Sequence, residues 1–310
     1  MANFLQTIKN YKKPMQKKLK KLGTIAVDIV ETTPIVWKNK LYRFEWKRNF
    51  NNEITDEGYS NGYYHFVDME TGEETPAFAH TYTFGSAYVE DDTMYVVGGQ
   101  KWGTNVLDIF ISKDLVNWEK KNIISYPEGW EFYNTSICKS EDGYVLAIEI
   151  GAPLEVAGIR YTMIFAKSKD LLSWEILDTN KYIHTPERYS ACPVIRYCDG
   201  FYYMIYLEEL PLYKFVPYIA RSKDLSDWEV APVNPVMFYS DEDKLLAADF
   251  TTEEKERILT SLNTNNSDVD LCEYNGKTII LYSWGNQCGC EYLAKAEFDG
   301  SMEEFFKSFF

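Results

Sequence analysis

The sequence predicts an all-β protein, a five-bladed β-propeller, on three observations. First, Ser-Lys-Asp-Leu followed by Trp-Glu occurs at Ser112, Ser168 and Ser222, with Trp118, Trp174 and Trp228 closing the copies. Copies spaced 56 and 54 residues apart mark an array of similar supersecondary units. Second, five segments each place a polar turn between two β-rich runs. The turns fall at residues 39, 92, 142, 199 and 275, and Asp-Gly or Asn-Gly stands in three of them. Third, Tyr, Phe and Trp together number 50 of 310 residues, enough aromatic surface for the cores between blades.

Each blade follows from a hairpin. Four-stranded blades repeat at roughly 40–50 residues, so five slightly enlarged ones fill this chain. The interval from residue 199 to 275 is long because Asp241 to Leu262 forms a charged insertion. Thr251 and Glu254 offer a capping box there, and Ile258, Leu259 and Leu262 supply an apolar stripe. A short helical insertion between blades four and five is expected, as a surface decoration or a lid. The three Trp-Glu copies read as scaffold, since a single site does not need one residue in three blades. Ser-x-Asp-Leu makes a tight polar turn and the Trp packs between neighbouring blades.

Residues 1–22 differ from the propeller expected over 23–310. They hold seven Lys and no acid, and Phe4, Leu5, Ile8, Tyr11, Met15, Leu19 and Leu22 trace a helical stripe interrupted by Pro14. A basic amphipathic helix is expected. It would dock on the acidic body or pair two copies in a homo-oligomer, with contact to an anionic membrane as the other reading. Phe305, Phe306, Phe309 and Phe310 are expected to supply part of the docking surface.

Composition narrows the function classes. A net charge of −15 and a pI of about 4.8 argue against nucleic acid as a partner. No apolar run approaches the length of a membrane span, and no secretory leader is legible, so a cytoplasmic location with reduced thiols is expected. Of the six Cys, Cys138, Cys192 and Cys272 fall in or beside inner-strand runs, and Cys288-Gly289-Cys290 lacks zinc spacing. No cofactor is expected, with a calcium or other ion on the axis left open.

A propeller gathers the starts of its inner strands around one end of the axial tunnel. Counting eight residues back from each turn gives Glu31, Phe84, Asn134, Ala191 and Ser267, with Glu187, Arg188, Tyr189 and Asp268 close by. Asp268 and Asp270 share one face of a strand.

With these hairpins and Ser-Lys-Asp-Leu copies, residues 24–310 resemble the five-bladed β-propeller glycoside hydrolases, the group of arabinanases, β-xylosidases and invertase-like enzymes. The resemblance implies an Asp base in the first blade, an orienting Asp in a middle blade and a Glu acid in a later one. This chain has Glu31 at the first place, Asn134 at the second and Ala191 just before Cys192-Pro193 in the fourth blade. Glycosidic cleavage needs one protonated and one ionised carboxyl. Glu31 as base or nucleophile, Glu187 as acid and Asp268 as third carboxylate are the expected catalytic set. His80, Asn134, Arg188, Tyr189, Asp270 and Trp284 are the expected contacts to a short oligosaccharide, with His184 beside them. A carbohydrate-binding propeller without catalysis and a glycoside phosphorylase, using Arg188 and Arg43 for phosphate, stand as alternatives.

Overall fold

The computed structural model describes residues 19–48, 62–287 and 289–310. Five antiparallel sheets surround one axis, and four of the five central turns have both residues at positive φ: Lys38-Asn39, Asp91-Asp92, Asp199-Gly200 and Asn275-Gly276. Turns of that hand match the twist of the strands they join. Blade 1 is β2 (Thr32–Trp37), β3 (Lys40–Lys47) and β4 (Tyr63–Asp68). Blade 2 is β5 (Thr83–Glu90), β6 (Thr93–Gly99), β7 (Val106–Ser112) and β8 (Glu119–Ser125). Blade 3 is β9 (Glu131–Ser140), β10 (Gly143–Ala152), β11 (Thr162–Ser168) and β12 (Trp174–Ile176), with β13 (Ile183–His184) also on β11. Blade 4 is β14 (Ser190–Cys198), β15 (Phe201–Leu210), β16 (Lys214–Ser222) and β17 (Trp228–Val230).

Blade 5 closes the ring with strands from both ends of the chain. β18 (Asn265–Tyr274), β19 (Lys277–Gly285) and β20 (Glu291–Phe298) are completed by β1 (Leu19–Val27), which pairs with β20. Residues 19–22, expected to end a basic helix, are therefore strand: pairing with β20 outweighs their helical spacing. The rest of that expected helix lies outside the described residues. The C-terminal phenylalanines are also taken. Helix α3 (Met302–Lys307) buries Phe305 and Phe306, and Phe309 after it, between blades 4 and 5, where Phe306 stacks on Tyr203 at 4.9 Å.

The three repeats build one turn three times. Ser112 Oγ accepts the Asp114 and Leu115 amides, and Asp114 Oδ1 accepts those of Val116 and Asn117. Asp170 and Asp224 repeat this, and Leu115, Leu171 and Leu225 are buried with φ of 61°, 66° and 73°. The turn aims the Trp at the preceding blade: Trp118 stacks on Phe66 of β4, and Trp228 stacks on Phe165 of β11. The repeat is a seam between blades.

Between β17 and β18 run a 3₁₀ turn, Asp241–Lys244, and helix α2 (Thr252–Thr260), after the short α1 (Leu154–Ala157) of blade 3. Thr251 caps α2, accepting the Glu254 amide while the Glu254 carboxylate receives that of Thr251. Only Ile258 of the expected stripe is buried; Leu259 and Leu262 face solvent. Thr251→Ala is expected to cost about 1 kcal/mol, with Thr251→Ser near neutral. Urea midpoints of the two variants check it. Among the described residues no helix is long and apolar enough to cross a membrane.

Candidate active site

The five inner strands open on one cavity of about 470 Å³ at one end of the axis. Glu31, Phe84, Asn134, Cys192 and Asp268, one per blade, all line it. Each stands eight residues before the second residue of its central turn. Counting to the first turn residue in blades 4 and 5 had instead given Ala191 and Ser267. β-Bulges lie at Thr83/Ser86, Ala191/Val194 and Ser267/Asp270, and there Phe84, Cys192 and Asp268 adopt φ of 50°, 50° and 47°. A bulge adds a residue to one strand and re-aims its side chain. Here it turns three non-glycine residues toward the axis.

Below the mouth lies a chamber of about 30 Å³, room for about one water, walled by Thr32, Thr33, Ser86 and Thr135. Its floor is tied by Arg196, which donates to Asp270 Oδ1 at 2.5 Å and to the Leu271 carbonyl at 3.0 Å.

Three carboxylates gather on one side of the mouth. Glu31 and Asp268 meet where blade 1 abuts blade 5, and Glu291 of β20 joins them. Arg48 pairs with Glu31 and lies over the Trp46 ring at 4.5 Å. Burial, reinforced by the Glu31 charge, pushes the Asp268 carboxyl up to about 6. Burial and the Asp268 charge raise Glu291 to about 8. Across the cavity, Glu149 of β10 accepts the Cys192 amide at 2.8 Å and the Asn134 side-chain amide at 3.0 Å. Those bonds favour its ionised form, but burial outweighs them and pushes it up to about 7.

Aromatic rings wall the remaining arc through blades 2, 3 and 4. Trp102 meets Phe84 at 4.5 Å, Tyr133 meets Tyr161 at 5.1 Å, and Tyr189 meets Phe215 at 5.5 Å. Trp102 is 42% exposed, so part of its ring is free at the rim. Arg160 bonds Tyr133 and Glu131 beside it.

The five-bladed fold that carries this pocket has counterparts among solved structures. One is a glycoside hydrolase, with a TM-score of 0.64 and 13% identity over 95% of this chain and 96% of that one. A thermostable family-43 glycoside hydrolase gives 0.58 and 10%, over 88% and 90%. The α-L-arabinofuranosidase of Podospora anserina in complex with cellotriose gives 0.56 and 9%, over 90% and 96%. The chain has the five-bladed fold of these glycoside hydrolases. No protein-family model matches the sequence, and no curated protein matches it.

On this glycoside hydrolase fold the expected residues separate into two groups. Glu31, Asn134, Tyr189 and Asp268 share the mouth, and Asp270 lies beneath it in its ion pair with Arg196. Glu187 does not join them: its carboxylate is solvent-exposed, 4.0 Å from Arg188, outside the lining. Arg188 turns away to Glu208 and Tyr206. His80 is exposed beside Tyr63, and His184 is buried against Tyr206 and Trp228. Trp284 is fully buried, stacked on Tyr292 at 4.4 Å with its indole N–H on Thr24, so it belongs to the blade 5 core. Arg43 is held by Glu45 inside blade 1.

Glu149, Glu291, Arg48, Trp102 and Arg160 are mouth residues that the sequence analysis passed over. Glu149 had a signal, as the one charged residue of the apolar run Val145 to Ala152. The others stand at strand ends or in loops, where nothing in the sequence marks them. Among the described residues, no group of three or more His, Cys, Asp or Glu side chains is arranged to hold a metal ion.

Proposed function

We propose that the mouth hydrolyses a glycosidic bond of a short oligosaccharide, with Glu31 as base or nucleophile and Glu149 as acid. The observation that carries this reading is the opposition, across one cavity, of an arginine-paired carboxylate and a buried carboxyl shifted to about 7. Arg48 is the ion-pair partner of Glu31, while burial raises the Glu149 carboxyl to about 7, so about half of it carries a proton in neutral solution. In the forward step the Glu149 proton passes to the glycosidic oxygen as the bond to the anomeric carbon breaks. Glu31 attacks that carbon or takes the proton of an attacking water. Asp268, beside Glu31 on the ring, suits a hydroxyl of the bound sugar. The acid role expected for Glu187 thus passes to Glu149.

A panel of nitrophenyl glycosides tests the reading, and an inert wild type across all sugars sinks it. A general acid works protonated, so kcat on a glycoside with a poor leaving group is expected to fall as pH rises through about 7. Glu149→Gln should remove that limb from the pH profile. The binding-module alternative draws on Asn134 and Cys192, which stand where a catalytic ring would hold carboxylates. Phosphorolysis has less support: Arg48 and Arg160, the two arginines of the lining, are engaged by Glu31 and Glu131.

A further inference from the structure

The insertion between blades 4 and 5 carries apolar surface that nothing described covers. Of the eleven large hydrophobic residues exposed among the described residues, five lie here: Phe238, Leu245, Leu246, Leu259 and Leu262, between 40% and 65% exposed. They are held in one neighbourhood. Lys244 Nζ reaches the Leu259 carbonyl at 3.5 Å, and Asn263, next to Leu262, donates to the Ser240 carbonyl at 3.3 Å. Exposed apolar residues grouped in this way mark an interaction surface. Its surroundings are acidic: Asp241 to Leu262 holds seven Asp or Glu against three Lys or Arg.

The chain itself supplies a matching segment at the right place. Residues 1–18 carry five Lys and no acid, together with Phe4, Leu5, Ile8, Tyr11 and Met15. They join the body at Leu19, two residues before Lys21, which donates to the Phe238 carbonyl at 2.5 Å. Thr24 then donates to the Leu245 carbonyl at 2.7 Å and bridges Leu246. The strand that carries the segment therefore runs along the edge of the patch. Tethering makes docking intramolecular, at an effective concentration on the order of millimolar. The C-terminal phenylalanines, the other apolar surface considered for this role, are already filled by the body's own core.

We propose that residues 1–18 dock in cis on the apolar face of the insertion, their lysines against its carboxylates. Docking would fasten the insertion over the seam where the ring closes. The test uses the full chain, limited trypsin digestion at Lys9 to Lys18 and amide hydrogen exchange of the same residues. Leu259→Glu with Leu262→Glu changes two exposed side chains, and Lys12→Glu with Lys13→Glu reverses charge on the segment. The Leu259/Leu262 variant is expected to be cleaved within residues 9–18 about tenfold faster than wild type, since cleavage follows the population of the open form. The Lys12/Lys13 variant loses a tryptic site, so it is read by amide exchange, expected to be about tenfold faster over the same residues. Cleavage and exchange rates equal to wild type in the respective variants overturn the proposal. A wild-type dimer in sedimentation that dissociates in the Leu259/Leu262 variant overturns it in favour of a second copy. Protection that appears only with vesicles of anionic phospholipid overturns it in favour of a membrane surface.

Discussion

Glu31→Gln is expected to lower kcat by about 10²–10⁴-fold on the best glycoside of the panel, with the unfolding midpoint nearly unchanged. The substitution keeps the shape and one oxygen for Arg48 but removes the charge that attacks or accepts the proton. Glu149→Gln provides the complementary result. Its amide oxygen can still accept from Cys192 and Asn134, so the site stays assembled while the transferable proton is lost. The defect should be large on glycosides with poor leaving groups and small on nitrophenyl substrates, whose departure needs little protonation. Losses that are equal on both substrate types would remove Glu149 from the acid role. Losses of similar size in both single variants and in the double variant would mark the two carboxyls as one machine.

Asp243→Leu is expected to destabilise the ring by about 3–5 kcal/mol, because it leaves a buried ammonium without its partner. Asp243 is fully buried. It receives Lys21 at 2.6 Å, the Tyr282 hydroxyl and Asn263 at 2.8 Å, Asn266 at 3.1 Å and the Ser240 amide at 2.8 Å. These bonds fasten β1 to the insertion and to blade 5, where both ends of the chain complete one sheet. Lys21 is itself buried, and burial depresses its pKa despite the Asp243 charge beside it. Urea unfolding of Asp243→Leu, Lys21→Met and the double variant separates the parts. The double variant should recover some of the loss, since it strands no charge. A loss under about 1 kcal/mol for Asp243→Leu would show that closure does not depend on this network.

Local chemistry made much of the fold legible. Asp199-Gly200 and Asn275-Gly276 announce their hairpins because few other dipeptides accept positive φ twice. The Ser-Lys-Asp-Leu turns are written in side chains that bond their own backbone. The helix at Thr252 is announced by its cap, although its apolar spacing misleads: Leu259 and Leu262 stay in water. At the other end, Leu19 and Leu22 follow helical spacing but form strand, because β20 offers an unpaired edge 270 residues later.

The site was legible in part, and the reasons differ by residue. Glu31, Asn134 and Asp268 follow from distance along a strand to its turn. Glu187 is close to the same ring in sequence, yet it lies in the turn before β14, and its carboxylate leaves for solvent. Trp284 ends a hairpin, a place that suits a rim, but Tyr292 and Thr24 enclose it. Glu149 reaches the mouth from a second strand through a shift in register, which depends on how β9 and β10 pair.

Taken alone, the sequence determined the architecture of this protein: five hairpins, three inter-blade seams and an insertion, each carried by interactions among residues close along the chain. Only the tertiary structure decided which carboxylates meet and which are buried. Bulges turn Phe84, Cys192 and Asp268 inward, Arg48 pairs with Glu31, and burial raises the Glu149 carboxyl. Those outcomes depend on partners one or more blades away, whose approach and dielectric exist only once the ring has closed.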